Sequence, residues 1–270
     1  MSGKVNSGFN WKRIGVAVFA LPILFAYLYY LPPMPYFLAF LTVVCVIAMS
    51  EFYNMYGLRS RLSIPGMLVG SVLFYLICSH PGVFFEGVFL GFFVLLILRL
   101  FDDRTPEGSM LELGPLGVGL LYIVGFLSFQ WSLRIAYGVE YIFILYVSVW
   151  LADSLAYYIG KYLGKHKLYP SVSPNKTMEG ACGSLLGGAI GVVLMAKAFN
   201  IQGLSVSGAA LTGMAIGIAT LLGDLIESMF KRDAGVKDSG SIIPGHGGVL
   251  DKIDGFLVAG PTLYFIVRYF

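Results

Sequence analysis

An all-α, polytopic membrane fold is what this sequence predicts, from three observations. Of the 270 residues, 57% are hydrophobic and only 12% are charged, where a soluble domain carries about 25% charged residues. Mean hydropathy is +0.80. Long runs carry no charge: Ile14–Leu31 covers 18 residues and Pro115–Leu133 covers 19. Runs of about 18 or more apolar residues read as membrane-spanning helices.

Taken in order, about nine spans are expected: 12–31, 36–56, 64–79, 83–99, 115–134, 140–160, 180–198, 207–230 and 253–270. Lys4, Lys12 and Arg13 precede the first. Its length, and "LPPMP" after it in place of a small-residue cleavage site, argue for an uncleaved helix over a signal peptide. "GLRSRLSIPG" separates the second and third spans, "SHPG" turns the chain into the fourth, and "DDRTPEGSMLELGP" reads as a polar loop before the fifth. No internal repeat or low-complexity tract is visible.

The basic residues orient this layout. Fifteen of the eighteen Lys and Arg residues fall with the N-terminus and the loops after the even-numbered spans; only Arg134, Lys197 and Arg268 fall on the other side. The positive-inside rule then puts the N-terminus in the cytoplasm. The three cysteines, Cys45, Cys78 and Cys182, lie far apart with no metal-ligand spacing. They read as small buried apolar residues.

Ionisable groups within spans are costly and face a cavity or a partner. Five acids qualify: Glu51, Glu86, Asp153, Asp224 and Glu227. Glu86 sits near the outer end of its span and reads as a solvated interfacial carboxylate. The other four fall toward the cytoplasmic ends of the second, sixth and eighth spans. Asp224, Ser228 and Lys231 share one helical face by their spacing, which favours Asp224 as a cation ligand over an interfacial end residue. Tyr157 and Tyr158 are expected in an interfacial aromatic belt.

Two polar loops adjoin those acids, "KYLGKHKLYPSVSPNKTME" (161–179) and "KRDAGVKDSGSIIPGHGGVLDK" (231–252). Asp251 and Asp254 would share a face of the first turn of the last helix, where carboxylates are favoured. With Asp224 they could form an all-oxygen site suited to Mg²⁺ and substrate phosphates. The glycines of "PGHGG" let backbone N–H groups approach a phosphate. Lys231, Arg232, Lys237 and Lys252 supply positive charge, and Ser173, Lys176 and Thr177 of "SPNKT" are further phosphate contacts. Together these features point to phosphoryl or nucleotidyl transfer. His80 and His166 read as turn and surface residues.

Residues 228–254, "SMFKRDAGVKDSGSIIPGHGGVLDKID", resemble the C-terminal hallmark of the phosphatidate cytidylyltransferases, or CDP-diacylglycerol synthases. Ser228, Lys231, Arg232, Lys237, Asp238, Pro244, His246, Gly247, Gly248, Asp251 and Asp254 match that pattern. Lys252 stands where arginine is usual, keeping the charge and losing the planar fork. Residues 152–180 and the pair Glu51–Phe52 are similar too.

The resemblance implies transfer of a cytidylyl group from CTP to phosphatidate in the inner membrane, facing the cytoplasm, with Mg²⁺ as cofactor and room for a second cation. It implies a catalytic set of Asp224, Asp251, Asp254, Lys237 and Asp238, with Asp224, Asp251 and Asp254 as metal ligands. Substrate contacts would come from Asp153, Ser173, Asn175, Lys176, Thr177, Ser228, Lys231, Arg232, His246, Gly247 and Gly248. Asp238 and His246 would order the loop. Residues 1–140 would be scaffold with dimer contacts, and 141–270 would carry the catalytic loops. The expected partners are CTP, phosphatidate, bilayer lipid and a second copy of the chain, with no nucleic acid.

Three rivals stay open. A transporter would need midplane acids and paired broken helices, whereas these acids crowd one face. A related CTP-using enzyme on another lipid is the second: a polyprenol kinase would release CDP, whereas a cytidylyltransferase of archaeal ether lipids would release pyrophosphate. The third, a purely structural membrane protein, gives no reason for the concentrated loop polarity.

Overall fold

A computed structural model describes residues 22–102, 105–242 and 247–270. The first span expected, 12–31, lies outside the described residues up to position 21; its remainder is helical over 22–30 (α1). A wide helical turn, Pro33–Phe37, leads into α2 (Leu38–Met55). Then come α3 (Ser60–Ser79) and α4 (Phe84–Leu100). α5 (Ser109–Gly119) runs through a second wide turn, Leu120–Gly125, into α6 (Phe126–Tyr137). The C-terminal half holds α7 (Val139–Leu163), α8 (Met178–Ala198), α9 (Val206–Asp233) and α10 (Leu250–Tyr269).

Among the described residues, six helical stretches are long and apolar enough to cross a membrane: Pro33–Met55, Ser60–Ser79, Ser109–Tyr137, Val139–Leu163, Met178–Ala198 and Val206–Asp233. The chain is a polytopic integral membrane protein. α4 is 17 residues long, and α10 carries Asp251, Lys252, Asp254 and Arg268, so neither joins that set.

Four expectations need correction. The fold is all-α as expected, but the first polar loop is not irregular throughout: β1 (Lys167–Tyr169) and β2 (Ser173–Thr177) pair as an antiparallel hairpin inside it. Both strands are too short to show a clear alternation, and Pro170 opens the turn between them, so only their pairing reveals them. The segment 109–114, read as loop, is already helical, because Glu112 pairs with the buried Arg99 at 2.6 Å and is held against the bundle. The separator before the third span is likewise helical from Ser60. Cys45 and Cys78 are buried, but Cys182 is exposed on α8.

The two halves pack by different means. Around α2, α3, α5 and α6 the core is made of large side chains, with Phe52, Tyr53, Met49, Phe74, Leu116 and Leu120 almost wholly buried. Trp131 on α6 donates its Nε1–H to the carbonyl of Cys78 at 2.7 Å, giving the ring's polar edge a partner. In the second half the backbones themselves touch. A Cβ built on Gly188 of α8 would collide with the Gly213 carbonyl of α9, and one on Gly213 with that of Gly188. A Cβ on Gly223 would collide with the backbone at Asp254, so α9 and α10 cross closely beside Asp224 and Asp254. The boundary expected near residue 140 falls between α6 and α7, yet α10 closes against both halves: Phe256 meets Tyr146 edge-on at 5.0 Å between ring centroids, and a Cβ on Gly260 would touch Gln130.

Candidate active site

Both polar loops and the ends of α2, α7, α8, α9 and α10 meet at one end of the bundle. The hairpin is fixed there by Glu179 in the first turn of α8. Its carboxylate accepts the Lys165 N–H at 3.1 Å and lies 2.7 Å from His166 Nδ1. His166 is a surface residue as expected, with its exposed ring beside Glu179. Thr177 caps α8 by accepting the Gly180 N–H at 3.1 Å, a contact that typically stabilises by about 1 kcal/mol. Arg232, at the end of α9, donates to the carbonyls of Val172 and Val236 at 3.3 and 3.4 Å. It ties the hairpin turn to the second loop.

Between α7, the hairpin, α8 and α9 lies a cavity of about 590 Å³. Six of the residues picked out by sequence line it: Asp153, Ser173, Asn175, Lys176, Thr177 and Asp224. Lys176 Nζ stands 2.7 Å from Asp224 Oδ2, and Ser228 donates to Asp224 Oδ1 at 3.2 Å. Tyr157, expected in a lipid-interface belt, lines this cavity as well, with the Lys161 ammonium 5.6 Å from its ring centroid. The volume falls within the range of small-molecule and cofactor sites.

A second cluster adjoins it. Lys231 donates to Asp251 Oδ1 at 2.8 Å and to the carboxylate of Glu227, which is 1% exposed. Asp251 also accepts the N–H of Gly248 at 2.7 Å and of Ser239 at 3.1 Å. Gly247 has φ +85°, and a Cβ there would strike Asp251. Glycine is thus required at 247 both for the left-handed backbone and for room beside the carboxylate. Asp254 accepts the N–H of Gly255 at 2.8 Å and stands within electrostatic reach of Asp224 and Asp153. Lys176 and Lys252 act on Asp153 from the other sign.

Lys237 and Asp238 are exposed on the second loop and do not line the cavity. Pro244 and His246 lie outside the described residues. Two acids recognised as intramembrane but not given a site role belong to this end after all. Glu227 joins Lys231, and Glu51 of α2 receives the N–H groups of Val249 and Leu250. Their signal was present in sequence as charge within an apolar span, but the partners of Glu51 lie almost two hundred residues away.

The donor set can be tested against a divalent ion. Among the described residues no three His, Cys, Asp or Glu side chains form a closed metal cage. Mg²⁺ is usually held by one or two carboxylates together with phosphate oxygens and water, so an open arrangement suits it. Asp224 and Asp251 each already hold an ammonium at hydrogen-bond distance, which marks both as places where positive charge is stabilised. Glu227 Oε1 is buried with no hydrogen-bond partner, an acceptor still open to a cation. The residues fit such a group.

Comparison with known proteins decides the family. The family model described as "Cytidylyltransferase family" matches residues 11–270. This chain belongs to the cytidylyltransferase family. Proteins named phosphatidate cytidylyltransferase share its sequence over most of their length. That of Bacillus subtilis (strain 168) is 34% identical over 237 residues, covering 83% of this chain and 86% of the relative. That of Staphylococcus aureus (strain COL) is 36% identical over 235 residues, with the same two coverages. The relative from Staphylococcus epidermidis (strain ATCC 12228 / FDA PCI 1200) is 32% identical over 235 residues. The family match takes in the hairpin, the cavity and the carboxylate–lysine cluster together.

Proposed function

We propose that the polar end of this cytidylyltransferase brings CTP to phosphatidate, giving CDP-diacylglycerol and pyrophosphate. The cavity carries this reading: in it a lysine and a carboxylate face each other beside Ser173 and Thr177, walled by helices apolar enough to lie in a membrane. A water-borne nucleotide and a lipid phosphate can both reach such a place.

A phosphate oxygen of phosphatidate attacks the α-phosphorus of CTP in line. The new P–O bond forms as the bond to the bridging oxygen breaks, and pyrophosphate leaves with that electron pair. The nucleophile is already an anion, so no side chain has to take a proton. Lys176, Lys231, Arg232 and Lys237 offset the phosphate charge, which is where most of the transition-state stabilisation would lie. Ser173, Asn175, Thr177 and the loop glycine Gly247 orient phosphate oxygens through short donors, while the N–H of Gly248 is given to Asp251. Mg²⁺ would be held by one or two of Asp224, Asp251 and Asp254 together with phosphate oxygens, and when bound it would supply charge neutralisation. Asp153 and Glu227 add negative charge that favours a second cation nearby.

Adding the helix over 22–30, α4 and α10 to the six clear spans supports a nine-span layout. With the asymmetry of Lys and Arg, that layout has a cytoplasmic N-terminus and active site. A homodimer completes the reading, and cross-linking in membranes tests it.

The deciding assay follows purified protein in detergent with phosphatidate, Mg²⁺ and α-labelled CTP. Label entering the lipid phase with pyrophosphate release is expected. Label remaining in water as CDP would make the protein a lipid kinase instead.

A further inference from the structure

Glu51 stands one turn from the end of α2 and is 4% exposed. Its Oε1 accepts the Val249 N–H at 2.9 Å, and its Oε2 accepts the Leu250 N–H at 2.8 Å. Ser239 Oγ lies 3.4 Å from Oε2. The two backbone donors open α10, where N–H groups lack partners within the helix and a carboxylate is favoured by the helix dipole. A Cβ on Gly240 would stand 2.6 Å from Oε1, and one on Gly248 would strike Oε2. The loop is thus shaped around this carboxylate.

The same loop residues also hold Asp251. Ser239 and Gly248 give it their N–H groups while packing on Glu51. The end of α2 is fastened to α9 as well: Phe52 meets Phe230 edge-on at 5.3 Å between centroids, and Tyr56 donates to Asp233 Oδ2 at 3.1 Å. Lys231, the partner of Asp251, lies between those two anchors in sequence.

We propose that Glu51 is a positioning residue for the transfer reaction. From α2 it fixes Ser239, Gly240 and residues 248–250, and through them it sets where Asp251 and Lys231 stand. Helix capping alone does not account for it. α8 and α9 are capped locally by Thr177 and Ser205. α10 draws its cap from 198 residues away in sequence, at the cost of burying a carboxylate. A local serine would cap the helix; only a remote anchor ties the loop to another part of the molecule.

The inference rests on the reading of Asp251 as a site residue, so Asp251→Asn is measured alongside. In the full chain in detergent, Glu51→Gln turns an acceptor oxygen into a donor facing backbone N–H groups. We expect kcat per folded molecule to fall about 10- to 100-fold while KM for CTP stays within about twofold. Gly240→Ala, which presses a methyl group onto Oε1 with the charge kept, should lower kcat in the same way. Combining Glu51→Gln with Asp251→Asn should cost little more than the worse single change. Full kcat in Glu51→Gln with an inactive Asp251→Asn overturns this proposal alone. A rise in KM with kcat intact does the same. If Glu51→Gln does not fold, full kcat in Gly240→Ala overturns it. Full activity in Asp251→Asn overturns the site reading itself, and this proposal with it.

Discussion

The two halves of this membrane protein solve helix packing differently. α2, α3, α5 and α6 are joined by large interlocking side chains such as Tyr53, Phe74 and Trp131. α7, α8, α9 and α10 approach until glycine backbones touch, at Gly188 on Gly213 and at Gly223 on the backbone of Asp254. In a bilayer no hydrophobic force separates helix from lipid, and close packing of small residues is a main source of association. Close approach also draws short polar side chains from separate helices into range of one another. Asp153 on α7, Asp224 on α9 and Asp254 on α10 share one electrostatic neighbourhood for that reason. In the side-chain-packed half polar contacts are fewer, as in Tyr146 donating to Gln130 at 2.8 Å where α7 meets it, and Glu51 at the end of α2 is the exception that reaches the polar end.

Substitutions can break or sharpen this contrast. The largest effect is expected from Asp224→Asn, which removes charge from the cavity while leaving the helix backbone alone. CTP turnover should fall by about 10²- to 10³-fold or more, with the thermal unfolding midpoint in detergent little changed. Near-normal turnover would remove Asp224 from the site. Lys176→Met should come next. It deletes a charge-assisted contact worth about 1.5–3 kcal/mol, so kcat/KM for CTP should fall about 10- to 100-fold. A loss confined to protein yield would assign Lys176 to hairpin stability.

The smallest effect on catalysis is expected in the other half. Trp131→Phe leaves the Cys78 carbonyl without its donor and should cost about 1–3 kcal/mol of stability, read as a lower unfolding midpoint with kcat intact. A large drop in kcat there would mean that the scaffold reaches the chemistry through more than the end of α2.

Much of this protein can be read in one dimension because membrane spans and loop chemistry are local. Apolar run length alone locates the helical stretches, since lipid leaves a spanning backbone no alternative to internal hydrogen bonds. The lysines, glycines and aspartates of 228–254 announce phosphate chemistry by type and spacing, and Gly247 takes the positive φ that such a turn needs. Asp224 with Ser228 follows from helical periodicity.

Tertiary structure decided the rest, through contacts between residues far apart in sequence. Helical spacing already pairs Lys231 with Glu227, but only the crossing of α9 and α10 brings Asp251 to it. Tyr157 comes to line the cavity where α7 and α8 approach closely. The β-hairpin is pinned by Glu179 and Arg232, neither of which lies in its strands. Glu51 gives the widest separation: its span is legible from hydropathy, yet its partners are N–H groups of a helix that begins almost two hundred residues later. Local sequence determines which groups are available. Packing geometry determines which of them share a charge.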